Sequence, residues 1–128
     1  MATANLIKEQ NQVSDGKDSI VIIEALADLP GGRTLDVSGV ASGTTVVKAG
    51  HIIIQNDTTK VLSPLGITSN AYDSLPNGSS YLGVLKATVR VADPRAAIVL
   101  QGVVNAAASP YTVTSTIKSG LPLIKFLY

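Results

Sequence analysis

The 128-residue chain has no cysteine, no tryptophan, one histidine and one phenylalanine. Without thiols there is no disulfide framework and no thiolate zinc site. A single imidazole leaves too few ligands for a conventional zinc centre. Charge is sparse as well: ten Lys and Arg stand against nine Asp and Glu, a formal net charge of +1. Nucleic-acid binding draws on a concentrated basic face, and here the basic residues are scattered singly. Four tyrosines and one phenylalanine offer few rings on which bases stack. No nucleic-acid partner is expected.

Long apolar runs are missing too. A membrane-spanning helix needs about 18 continuous apolar residues. The best stretches, "IVIIEALA" and "AAIVLQGVV", are short and broken by Glu24 and Gln101, so no membrane partner is expected. The opening "MATANLIKEQNQVSDGKDS" carries no apolar core of the kind a secretory signal needs. The glycosylation patterns at Asn56-Asp57-Thr58 and Asn77-Gly78-Ser79 are therefore expected to go unused. What is present is a hydrophobic fraction of 45% against 15% charged residues. Apolar surface beyond the needs of one core points to a protein–protein interface.

A chain of this length forms one domain and buries roughly 65–70% of its unfolded surface. Residues 1–17 are polar and aperiodic apart from Leu6, Ile7 and Val13, and read as an extended arm without order of its own. From residue 18 onward Val, Ile and Thr dominate, with Gly, Pro, Asn and Asp recurring about every eight to twelve residues. That is the rhythm of a compact, mainly β single domain of barrel or sandwich type, over 18–128. "SIVIIEALA" reads as a strand largely buried on both faces, with Glu24 needing a partner or a wet edge. Pro30-Gly31-Gly32 predicts a turn into a short strand in which Leu35 and Val37 share a face. Gly50 marks a bulge before "HIIIQ", and "NDTT" predicts a hairpin into "KVLSPL". Residues 66–80 read as a loop.

The alternation of Leu85, Ala87, Val89 and Val91 predicts a half-buried strand, turned at Asp93-Pro94 into a central strand from Arg95 to Val104. Val113, Ile117 and Leu121 fall at i, i+4 and i+8, one face of a short helix near the C-terminus that Gly120 and Pro122 end. The closing "LIKFLY" predicts a last strand with Ile124 and Phe126 facing the core. Leu127 and Tyr128 are then expected at or near a subunit boundary.

Chemistry-bearing residues are few. Ser38 or Ser42, with Asp36 and His51, compose a Ser/His/Asp set on paper. A triad is defined by geometry, however, and His51 after Gly50 reads as a residue opening a strand. "GVASG" places its serine fourth, unlike a nucleophile elbow, and lacks the Gly-Lys of a phosphate loop. Asp15, Gly16 and Asp18 do not follow a calcium-loop spacing. Asp93 and Arg95 can pair across Pro94, a turn device worth about 0–1 kcal/mol when exposed. No carboxylate pair has a spacing that suggests acid/base work. No catalytic, metal-ligating or cofactor-binding residue is expected, and the inventory argues against an enzyme.

Four packing motifs carry a likeness. They are the Ala49-Gly50-His51-Ile52 strand opening, Gly83-Val84-Leu85, the Leu100, Gly102, Val104 and Asn105 pattern, and Leu121-Pro122 followed by Ile124 and Phe126. In this order they resemble the small head decoration proteins of tailed bacteriophages, over roughly Leu35 to Tyr128. The residues after Val84, and the stretch from Gly66 to Ser80, depart from that pattern. The resemblance implies a non-enzymatic virion protein on the capsid exterior, assembled in the bacterial host cytoplasm. It implies the major capsid protein as partner and a homo-oligomer, a trimer by preference. It also implies an N-terminal arm that binds the shell, with Leu6, Ile7 and Val13 as anchors. The alternative is a β-barrel binding module, such as a head-fibre base or host-attachment accessory recognising a sugar or peptide. That reading prefers clustered exposed aromatics, and Tyr72, Tyr81, Tyr111 and Tyr128 are dispersed in the sequence.

Overall fold

A computed structural model describes residues 18–40 and 42–127. The arm with Leu6, Ile7 and Val13, and the terminal Tyr128, lie outside the described residues. A helical turn, Asp18–Val21, leads into β1 (Ile22–Thr34), β2 (Val46–Val47), β3 (Ile52–Asn56) and β4 (Leu62–Pro64). There follow β5 (Ile67–Thr68), β6 (Ala71–Tyr72), β7 (Ser79–Leu85), β8 (Val89–Arg90) and β9 (Arg95–Asn105). A 3₁₀ turn, Ala106–Ala108, a short helix, Ser115–Gly120, and β10 (Ile124–Leu127) complete the chain.

The main sheet runs β1-β9-β7-β3-β4, and β10 also pairs with β9. Every pairing is antiparallel except β10 beside β9, which is parallel. One edge of β9 carries β1 along its length. The other is shared: β7 lies against Ile98 and Val99, and β10 against Gly102 to Asn105. A bridge from Leu35 to Leu62 ties the end of β1 to β4. The sheet does not close into a barrel; the fold is mainly β and sandwich-like, with one short helix near the C-terminus.

Alternation on β3 sends Ile52 and Ile54 to one face and Ile53 to the other, and all three are buried. The first face builds a core from Val21, Ile52, Ile54, Leu65, Val84, Val104 and Ile124, lidded by Val113, Ile117 and Leu121. Those last three are the predicted helix face, but the helix is shorter than their spacing: Ile117 lies within it, Val113 precedes it and Leu121 is its C-cap, while Thr114 caps its start by accepting from the Ile117 N–H at 3.4 Å. The second face gathers Leu35, Val47, Ile53, Leu62, Leu85, Ala96 and Ile98, with Val37, Val89 and Val91 packed on. Ile124 is buried and Phe126 packs against the first core, as expected of the terminal strand.

Four expectations need correction. The apolar stretch after Ser19 is a helical turn to Val21 followed by an outer strand, and Ile20 in the turn and Ile23 and Leu26 on β1 are exposed, so the stretch is not buried on both faces. Pro30-Gly31-Gly32 is not a turn; β1 continues through it with a register irregularity between Leu29 and Arg33. β7 stops at Leu85, and Val89-Arg90 leaves the main sheet to pair with Val46-Val47. Residues 66–80 hold a two-residue hairpin, β5–β6, whose central Ser69 (φ 52) and Asn70 (φ 60) both take left-handed conformations. That is the backbone of a type I′ turn, which favours asparagine.

Candidate functional site

The first candidate is a sheet face. Val104, Ile22, Ile124 and Phe126 all belong to or pack on the first core. Their neighbours Val103, Lys125 and Leu127 therefore point to the opposite side. There the second core has ended, since its last contributors on β9 are Ile98 and Leu100. Bulges on β1 add to this open side. Ile22 and Glu24 oppose Val104 and Val103, and Ala25 and Ala27 oppose Gly102 and Gln101. Ile23 and Leu26 are thus the extra residues, each sharing a partner and a side with the residue after it. Both are exposed, at 48% and 63%. Leu123, just before β10, is 62% exposed, and its carbonyl accepts from the Gly102 N–H at 3.3 Å.

The result is an apolar patch of Ile23, Leu26, Val103, Leu123 and Leu127, with Glu24 on one flank and Lys125 on the other. Glu24 and Lys125 both lie opposite Val103, on β1 and β10 respectively. Two strand spacings set them about 10 Å apart. Leu127, expected at a subunit boundary, is half-buried here. Gly102 holds the strands together, because a Cβ at that position would meet the Glu24 carbonyl of β1.

The second candidate is a cluster that tertiary folding brings together. His51 lies edge-on to Tyr72 and Tyr111, with ring centroids 5.3 and 5.8 Å away, and the tyrosines meet at 5.4 Å. The His51 Nε2–H donates to the Leu65 carbonyl at 2.8 Å, and the Tyr72 hydroxyl accepts from the Ile52 N–H at 3.2 Å. Burial holds the His51 pKa below its ordinary value and pushes the Tyr72 phenol up. An open groove of about 460 Å³ borders Tyr111, lined also by Asn70, Pro110, Thr112 and Lys118. The sequence gives little sign of this cluster, since its three rings are up to sixty positions apart.

The remaining sequence candidates part company. Asp36 accepts from the Ser38 N–H at 3.0 Å in an exposed turn, and hydrogen bonding to Ser38 lowers its pKa. His51 is committed to Leu65, so the paper triad is not assembled. Asp93 and Arg95 pair through two bonds of 2.7 and 2.9 Å, which raises the Arg95 pKa. Among the described residues no group of His, Asp or Glu side chains is arranged to hold a metal ion. No described helix is long and apolar enough to cross a membrane. No protein-family model, curated protein or solved structure matches this chain.

Proposed function

We propose that this chain is a structural virion protein that binds the outer surface of a phage capsid and stabilises the expanded shell. The observation that carries the reading is the open face. Ile23 and Leu26 on β1 and Leu123 just before β10 are exposed, and the register sets Ile23 and Leu26 on one side of the sheet. The charged side chains with partners, by contrast, are spent on turns and on the exposed Lys86–Asp28 bridge at 2.7 Å. Such a protein works by binding one lattice state better than another, which lowers the free energy of that state. The major capsid protein is the partner, and Leu6, Ile7 and Val13 are the anchors that the arm lays against it. Ordering the arm costs about 1–2 kcal/mol per residue, which repeated contacts around an oligomer offset.

The test is the copy number of this protein in density-purified virions, measured by quantitative mass spectrometry against the major capsid protein. A simple lattice ratio supports decoration; absence from particles removes it. Deleting residues 1–17 is then expected to abolish shell binding while the domain stays folded.

One observation favours a second reading. The Tyr111 groove, with Asn70, Thr112 and Lys118 on its walls, has an aromatic wall and polar groups of the kind that hold a sugar. A head-fibre base or host-attachment accessory with this groove would bind glycans, and a glycan array with Tyr111→Ala as control decides it.

A further inference from the structure

The open face has three rows. Leu26 and Ala27 on β1 lie opposite Gln101 on β9, and Leu123 precedes the Ile124–Gly102 pair on the other side. Glu24, Val103 and Lys125 make the middle row, and Asn105 and Leu127 the third. Read across β9, the two flanks correspond: leucine facing leucine in the first row, acid facing base in the second. Among the described residues neither Glu24 nor Lys125 has an ion-pair partner.

We infer that a second copy of this chain covers the face, related to the first by a two-fold axis running along β9. Such a rotation exchanges the β1 and β10 flanks. Leu26 then lies over the partner's Leu123, Glu24 over the partner's Lys125, and Val103 over the partner's Val103. Each flank contact occurs twice, as an isologous interface requires. A two-fold axis across the strands would instead stack Glu24 on the partner's Glu24 and Lys125 on the partner's Lys125. Like charges opposed in this way are strongly disfavoured, so the charge pattern selects the axis.

Pairing by strand addition at the free side of β1 is disfavoured by the same elements. Pro30 has no N–H to offer, and the bulges at Ile23 and Leu26 interrupt a regular row of donors and acceptors. Those bulges turn their side chains onto the face, so the edge is blunted and the face is apolar. Two such faces stack about 10 Å apart with strands aligned to within about 30°. This pairing spends the open face between copies and leaves shell binding to the arm of residues 1–17, and it favours two copies where the resemblance favours three.

Absence of cysteine makes the test direct, because L26C and L123C would each carry a single thiol. Equimolar full-length L26C and L123C chains, mixed and treated with a bismaleimide whose spacer spans about 10 Å, a gap no disulfide bridges, are read by denaturing electrophoresis and mass spectrometry. The mixed L26C–L123C adduct is expected to dominate over either symmetric one; a random distribution, or no cross-link, overturns the inference. Sedimentation velocity across a concentration series gives the second readout. E24K and K125E, both at exposed positions, are each expected to weaken the dimer about tenfold, and E24K/K125E to restore it to within about threefold. A double variant no better than the singles overturns the pairing, as does sedimentation as a trimer. A chain that stays monomeric while binding shells normally also overturns it and leaves the decoration reading intact.

Discussion

The two halves of β9 are built for different ends. From Ala96 to Val99 the strand lies between β1 and β7, and Ala96, Ile98 and Val99 are 0–1% exposed. From Gly102 to Asn105 it lies between β1 and β10, and one face is covered far better than the other: Val104 is fully buried, while Val103 is half-buried and Gln101, just before, is exposed. Each half has a strand on both edges, so the presence of neighbours does not distinguish them. What differs is the layer above. The first half is stabilised by packing on both sides, and the second keeps a face in reserve for contact. A strand can therefore be equally well anchored and yet divide its side chains between stability and recognition.

The sharpest way to break this contrast is to truncate both halves alike. Ile98→Ala empties a fully enclosed site and is expected to lower stability by about 2–5 kcal/mol. Val103→Ala removes a half-exposed side chain and is expected to change it by under about 1 kcal/mol. Urea denaturation of the two variants makes the comparison; equal losses would mean the open face is buried in the free protein.

Two glycines sharpen it further. A Cβ at Gly83 would meet the Val99 carbonyl in the enclosed half, and one at Gly102 would meet the Glu24 carbonyl of the outer strand. Overpacking of this kind costs about 1–3 kcal/mol. Gly83→Ala is expected at the upper end, because both neighbours are held, and Gly102→Ala lower, because β1 can shift outward. The order of the two melting temperatures decides.

A smaller effect tests the first face. His51 donates to Leu65 as a neutral ring, and burial lowers its folded pKa beneath the ordinary 6.5. Below that value the unfolded chain takes up a proton that the folded chain refuses. Stability is therefore expected to fall as pH drops through 6.5 and to keep falling until the folded pKa is reached. His51→Gln, which keeps a donor for Leu65, is expected to flatten the profile below pH 6.5 in thermal melts. The least change is expected from Leu123→Ser, within about 0.5 kcal/mol in stability. Its effect belongs to association, so a large drop in melting temperature of the dilute protein would place Leu123 in the core instead.

Much of the first face was legible because its periodicities are local. The spacing of Val113, Ile117 and Leu121 marks the helix without reference to anything else, and Ile124 with Phe126 marks the inward side of the last strand. The Asn56 turn was likewise visible, and its side chain accepts from Thr58 and Thr59 at 2.9 Å. The open face was not legible, because an apolar stretch reads the same whether it is covered on two sides or on one. Ile23 and Leu26 declare themselves only through bulges, which depend on the register with a strand far along the chain. The ring cluster was hidden for the same reason: Tyr111 reaches His51 through a loop, with no periodicity to announce it.

The position of β9 also dictates an order of events. As the chain emerges from a ribosome, β3 and β4 can form a hairpin as soon as Pro64 is made, and β7 can join them. β1, made first, has no neighbour until Arg95 to Asn105 exist, and β10 must arrive later still. Contacts that span so much of the sequence slow folding towards the millisecond-to-second range. Throughout that wait Ile20, Ile22 and Ile23 remain open to solvent on an unpaired segment. The nascent chain thus carries β1 unpaired until β9 is synthesised.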